Sequence, residues 1–305
     1  MTKGFFTDTT LCIGCKACEV ACKQWNQLPG DNYEFTGMSY DNTAALGATT
    51  WRHVAFVEQM GRQPNGAADG AALGATAIAE RVSSPTVGFL GENRWLMMSD
   101  VCKHCTNAGC LDACPTGAII RNEFDNVYIQ PDVCNGCGYC VPSCPFGVVD
   151  MIGQVASNAA YNVATLNQER RERDETAVQG RGGVAGKCTL CYDRQRDGFV
   201  PACAKACPTE SIQFGDVDEL KARAHERAQN LKERGLDASL YGVGWDSSVG
   251  DLNAFFLLTD RPERYNLPPE PVLPSTRQPA GYGAAAAAAL VMFACGLAIF
   301  GRSPS

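Results

Sequence analysis

The chain has 305 residues, 45% of them apolar and 19% charged, with a formal net charge of −7. Such a composition builds a sizeable core and excludes a disordered chain, and its acidity argues against a nucleic-acid binder, which carries a basic footprint. The seventeen cysteines do not fit a disulfide scaffold, a device of small secreted domains that lack a core.

In chain order, Met1 to Asp8 leads straight into the first cysteine group with no apolar run, so no signal peptide is expected there. The first group is Cys12-x2-Cys15-x2-Cys18-x3-Cys22. Trp51 to Gln59 alternates as a strand does, and Arg94 to Val101 reads as a second strand. Between them Met60 to Glu92 is a Gly- and Ala-rich insertion, read as a solvated loop. The second group is Cys102-x2-Cys105-x4-Cys110-x3-Cys114, followed by Pro115. Ala118-Ile119-Ile120 and Val127-Tyr128-Ile129 flank the turn residues Asn122 to Asn126 and predict a hairpin. The third group is Cys134-x2-Cys137-x2-Cys140-x3-Cys144, followed by Pro145. A second insertion, 152–186, carries the mixed charge run Glu169 to Glu175. The fourth group is Cys188-x2-Cys191-x11-Cys203-x3-Cys207, followed by Pro208.

Asp216 to Arg234 is a predicted helix with Leu220, Ala224, Ala228 and Leu231 on its core face and Asp216 or Asp218 as its cap. Residues 261–280 hold six prolines and read as an extended arm. Ala284 to Gly301 carries no charge and spans roughly 27 Å as a helix, enough for a tilted membrane crossing; burial against a partner subunit is the other reading. Cys295 lies there outside every group and reads as an apolar filler.

Four quartets account for sixteen cysteines, and their repeat decides the chemistry. A C-x2-C-x2-C loop wraps three iron corners of a cubane, and the fourth cysteine is turned toward a neighbouring cluster. The following proline fixes φ and keeps the chain out of the ligand loop. Structural zinc needs only four ligands from paired hooks, so a third cysteine in each hook points to four [4Fe–4S] clusters. The hairpin between groups two and three is the layout of a two-cluster ferredoxin. Cys102, Cys105, Cys110 and Cys144 are then expected to hold one cluster, and Cys134, Cys137, Cys140 and Cys114 its neighbour. By elimination Cys12, Cys15, Cys18 and Cys207 hold a third, and Cys188, Cys191, Cys203 and Cys22 a fourth.

Cys12-Ile-Gly-Cys-Lys-Ala-Cys-Glu-Val-Ala-Cys-Lys-Gln-Trp-Asn26, Lys187-Cys-Thr-Leu-Cys-Tyr-Asp-Arg194, Pro201-Ala-Cys-Ala-Lys-Ala-Cys-Pro208 and the tail Ala254 to Pro269 carry a resemblance. The chain resembles the iron–sulfur (β) subunit of membrane-bound formate dehydrogenases, four-cluster partners of molybdopterin enzymes of the DMSO reductase superfamily. The resemblance covers Phe5 to about Pro274 and implies the same crossed pairing. It further implies electron relay between a molybdenum or tungsten pterin catalytic subunit and a membrane cytochrome b or quinone-binding subunit. The two insertions look longer than the family's links.

The expected fold is α+β: two ferredoxin-like dicluster units with loop insertions and a C-terminal transmembrane helix. Residues 1–30 with 187–215 form the outer unit and 94–151 the inner one. Residues 31–93 and 152–186 are insertions, 216–280 a helix and arm, and 281–305 the membrane helix. No catalytic residues are expected. The chain is expected at the cell membrane, its face undecided, with the outer face reached through a signal-bearing partner somewhat favoured. Rival partner enzymes are a hydrogenase or a nitrate, DMSO or sulfur-compound reductase; a soluble iron–sulfur sensor or maturation factor is a rival of another class.

His104, between Cys102 and Cys105, is read as a surface or supporting group because its quartet is complete. Lys16, Lys23, Lys103, Lys187 and Lys205 flank ligand positions; cations there raise a cluster's potential, though most are expected to be exposed. Trp25 and Tyr139 are candidates for packing over clusters.

Overall fold

The computed structural model describes residues 1–30, 40–41, 43–59, 94–152 and 183–300. The insertion 60–92, the charge run 169–175 and most of 152–186 lie outside the described residues. The first half of the chain contains β1 (Lys3–Asp8), α1 (Ala17–Trp25), β2 (Arg52–Gln59), β3 (Arg94–Val101), the short α2 (Gly109–Asp112), β4 (Ile119–Arg121), β5 (Val127–Ile129) and β6 (Asp150–Met151). The second contains β7 (Ala185–Gly186), α3 (Tyr192–Arg196), α4 (Ala202–Lys205), β8 (Ile212–Asp216), α5 (Val217–Glu233), β9 (Ser239–Tyr241), β10 (Ala254–Leu258) and α6 (Gln278–Phe300).

Among these elements, β8, β1, β10 and β9 form a four-stranded sheet in that order. β1 and β10 lie far apart in sequence and run parallel, with Phe5 opposite Ala254 and Phe6 opposite Phe255. β10 is a continuous apolar run and β1 is buried from Gly4 to Asp8, as expected of strands covered on both faces. The alternation of side chains sends the two faces to different cores. Phe6 and Phe255 stack at 5.6 Å and pack with Leu220, Ala224, Ala228 and Leu231 of α5. Phe5 and Ala254 face the other way, into a core with Cys18, Cys102, Cys188 and Cys203. The sheet is thus the wall on which the cysteine loops rest.

The α5 helix follows the predicted pattern, and its cap is Asp216, which accepts a hydrogen bond from the Asp218 N–H at 3.1 Å. The β2–β3 hairpin matches the two predicted strands, with Arg52 opposite Val101 and Val54 opposite Ser99. Pairing of β4 with β5 confirms the hairpin between groups two and three. β6 and β7 join the bases of the second insertion, Met151 opposite Ala185.

The arm departs from the expected extended run. Pro262–Tyr265 and Pro274–Arg277 are 3₁₀ turns, and Tyr265, Leu267 and Leu273 are buried in the α5-side core. Apolar side chains between the prolines make that segment part of the core instead of a surface strap. The C-terminal helix starts at Gln278, not Ala284, because Pro279 falls in its first turn, where a missing N–H costs nothing. Cys295 on it is exposed. Among the described residues no helix is long and apolar enough to cross a membrane.

Candidate metal centres

Each cysteine loop turns through left-handed backbone. Gly14, Lys16, His104, Gly136, Gly138, Leu190 and Cys191 all have φ between 45° and 75°. Such turns swing successive N–H groups to one side and make a concavity suited to an anion. At Gly14 a Cβ would stand 2.6 Å from the Phe56 ring and 2.7 Å from Met97 Sδ, and at Gly136 it would stand 2.2 Å from the Gly183 carbonyl oxygen. Only glycine fits these two turns.

The loops place the thiols in four sets. Cys102, Cys105, Cys110 and Cys144 line one cavity, with Lys103, His104 and Phe146 in its wall. Cys12, Cys15, Cys18 and Cys207 line a second, beside Val54, Ser99 and Ile212. Burial pushes the Cys22 thiol well up, and the nearby thiols of Cys188, Cys203 and Cys191 push it further. Burial and then Cys134, with Cys137 and Cys114 behind it, push Cys140 up to about 11. Cavity walls and thiol neighbourhoods thus bring cysteines of different groups together.

Helix geometry sets the last two cysteines of a group one turn apart. Cys18 and Cys22 are four apart on α1, one turn along a single face. Cys203 and Cys207 hold the same relation, from α4 to just past its end. α1 packs on α4, which brings cysteines of groups one and four together. The short α2 carries Cys110, with Cys114 just beyond it.

All seventeen cysteines are free of disulfides. Among the described residues no three His, Cys, Asp or Glu side chains converge closely enough to hold a single ion; the thiols ring a volume instead. Two buried side chains are unsatisfied: both ring nitrogens of His104, in the wall of the first cavity, and Nε and Nη2 of Arg52 have no partner among the described residues. Donors aim at sulfur: the Leu190 N–H at Cys188 Sγ (3.3 Å), the Ala185 N–H at Cys134 Sγ (3.4 Å) and the Val148 N–H at Cys144 Sγ (3.5 Å). Sulfur-ringed cavities with inward N–H donors fit a polynuclear, thiolate-bound, anionic group. Burial raises the pKa of Cys18, Cys22, Cys105, Cys110, Cys188 and Cys191, so these thiols hold protons without metal and would surrender them when iron binds.

The supporting residues differ from expectation in several places. His104 is fully buried in the wall of its cavity, so the surface reading is corrected and the supporting one stands. Lys103 and Lys187 are buried as well. Lys103 is held by the Asp100 carboxylate and the Val101 carbonyl, and Lys187 by the carbonyls of Val127 (2.5 Å) and Cys188 (3.0 Å). Trp25 is 45% and Tyr139 62% exposed, so neither seals a centre within this chain. Trp25 instead donates to the Asp193 carboxylate at 2.7 Å and lies under the Arg194 guanidinium. Arg52 and Ser99 carry no signal of their own in the sequence. The first is far from any cysteine in number, and the second reads as an ordinary strand residue ahead of group two.

A family of 4Fe–4S dicluster domains matches residues 11–118, and a second dicluster family matches 93–160 and 174–217. Together they imply four [4Fe–4S] clusters and a ferredoxin-like electron carrier of mixed helix and strand. The chain is 36% identical over 272 residues to a formate dehydrogenase iron–sulfur subunit of Haemophilus influenzae, covering 87% of this chain and 68% of that one. It is 35% identical over 268 residues to the nitrate-inducible formate dehydrogenase iron–sulfur subunit of Escherichia coli, covering 87% and 71%. To the B subunit of the anaerobic dimethyl sulfoxide reductase of Escherichia coli it is 27% identical over 225 residues, 72% and 76% of the two proteins. The chain belongs to the family of formate dehydrogenase iron–sulfur subunits. It is an electron-transfer subunit of an oxidoreductase complex, and a catalytic subunit is its partner.

Proposed function

We propose that this chain carries single electrons between a formate-oxidising molybdenum or tungsten pterin subunit and a membrane cytochrome b or quinone-binding subunit. The ligands in this reading are Cys12, Cys15, Cys18 and Cys207; Cys22, Cys188, Cys191 and Cys203; Cys102, Cys105, Cys110 and Cys144; and Cys114, Cys134, Cys137 and Cys140. The clusters supply one-electron storage, and the chain's residues fix their order.

The observation that supports the relay is the adjacency of the cysteine groups. Cys18, Cys102, Cys188 and Cys203 are buried in one core, and Cys105, Cys110, Cys114, Cys134, Cys140 and Cys144 line another. The exposed Cys15 and Cys137 reach the surface. On this reading 1–30 with 187–215 is the outer unit and 94–151 the inner.

α6 is proposed as the membrane anchor. Its support is the charge-free run from Ala284 to Gly301 and the exposure of Leu290, Val291, Met292 and Phe293, which find no cover among the described residues. Residues 285–295, the stretch whose side chains are described, are too short alone for a crossing. The outer membrane face, reached with a signal-bearing partner, is the proposed location.

Purification of the intact complex from membranes tests the reading. Roughly sixteen iron and sixteen sulfide per chain, pterin-bound molybdenum or tungsten, and formate:dye activity are expected. Dimethyl sulfoxide reduction in place of formate oxidation would favour the alternative suggested by the dimethyl sulfoxide reductase relative. Far less iron would end the relay reading.

A further inference from the structure

Arg52 is 1% exposed. Its Nη1 donates to the Ser99 carbonyl at 3.3 Å and to Ser99 Oγ at 3.0 Å. The Phe5 ring lies 4.7 Å from its guanidinium carbon. Nε and Nη2 are buried and reach no acceptor among the described residues. Arginine does not shed its proton in a protein, so a full positive charge is buried here. Burial disfavours that charge, and the groups that would offset it are Cys203, Cys18, Cys188 and Cys22, whose sulfur atoms would be negative once iron is bound. Three of those four belong to the Cys22 set and one to the Cys12 set.

A buried cation with two idle donors needs a negative acceptor. Among the described residues, the anionic chemistry that faces it is what the thiols would carry: thiolates and bridging sulfides. We propose that Arg52 is a positioning residue spanning the two outer centres, donating through Nε and Nη2 to their sulfur atoms and raising the reduction potential of the Cys22–Cys188–Cys191–Cys203 centre most. This rests on the ligand sets given under the proposed function. Reduction adds one negative charge to a centre, and a fixed positive charge in a low-dielectric interior favours that form. Lys187 is buried too, but it faces Cys102 and Cys110 of the third set ahead of Cys188.

The test uses the intact complex with Arg52→Gln and Arg52→Lys. Iron and sulfide are counted, and each centre is titrated by EPR under controlled potential. The signal of the second centre is taken as the one missing from a Cys188→Ala complex. Removing the charge in Arg52→Gln is expected to lower that centre's ratio of reduced to oxidised form about tenfold at fixed potential. That corresponds to about 59 mV for one electron, and the two inner centres stay in place. Arg52→Lys keeps the charge but loses the two-armed reach, and is expected to give a smaller shift of the same sign. Unmoved potentials in a variant that assembles all four centres overturn the proposal. If Arg52→Gln assembles fewer, Arg52→Lys decides by the same criterion. A wild-type complex without four cubanes would sink the relay reading and the role of Arg52 with it, whereas four cubanes with unmoved potentials sink only the latter.

Discussion

Ser99 Oγ lies 3.2 Å from Cys18 Sγ and accepts a hydrogen bond from Arg52, so one hydroxyl joins the first centre's ligand set to the buried cation. A donor to a ligand sulfur stabilises the reduced form. Ser99→Ala removes it without adding volume. A neutral hydrogen bond of about 1 kcal/mol corresponds to roughly 40 mV for one electron. The expected outcome is a fall of that order in the first centre's potential with unchanged iron content, read by potentiometric EPR.

The crossed sets make a sharper prediction. Cys22 is one turn from Cys18 on the same helix but shares its surroundings with Cys188. Cys22→Ala and Cys188→Ala are therefore expected to erase the same EPR signal and about four iron atoms per chain. Cys18→Ala is expected to erase a different one. On the proposed reading, formate:dye activity is expected to survive the loss of the second centre and quinone reduction to fall by orders of magnitude.

Gly14 and Gly136 test the loop geometry. A methyl group at Gly136 meets a backbone oxygen that cannot yield, whereas at Gly14 it meets the Phe56 ring and the flexible Met97 side chain. Both positions also have φ above zero, which costs alanine about 1–2 kcal/mol. Gly136→Ala is expected to lose the fourth centre, and Gly14→Ala to bind the first with reduced occupancy, as measured by iron content and EPR spin counts.

Tyr241 gives a pH dependence. Burial, with Asp100 and Cys105 adding to it, pushes its phenol far above the usual value, and its hydroxyl donates to the Pro268 carbonyl at 2.6 Å. The folded pKa is raised, so its contribution is whole below the unfolded value near about pH 10 and is lost as pH rises beyond it toward the folded value. Tyr241→Phe is expected to cost about 1 kcal/mol near pH 8 from the lost hydrogen bond and to flatten the alkaline decline. Urea unfolding under anaerobic conditions from about pH 8 to about pH 11, spanning the unfolded phenol's titration, measures both.

The cysteine rhythm was legible because ligand spacing is local: a cubane corner constrains neighbours two and three residues away. The α5 helix was legible because Leu220, Ala224, Ala228 and Leu231 repeat at helical spacing. Arg52 was hidden, since in Trp-Arg-His-Val it reads as an ordinary outward strand position. It reaches the centres only because β2 pairs with β3 and sets it opposite Val101, the residue before Cys102. Lys187 and His104 were visible as neighbours of cysteines, but their burial depends on β4, β5 and the α5-side sheet closing over them. The start of α6 was obscured by Pro279, Gly281 and Gly283, which punctuate a sequence more strongly than they punctuate a first helical turn.

The parallel pairing of β1 with β10 has a consequence for biosynthesis. β1 leaves the ribosome long before β8 and β10, and until they follow it has no neighbour on either side. The hairpin from Ile119 to Ile129 pairs within itself and can close earlier. A chain truncated before Ala254 leaves β1 without its parallel neighbour.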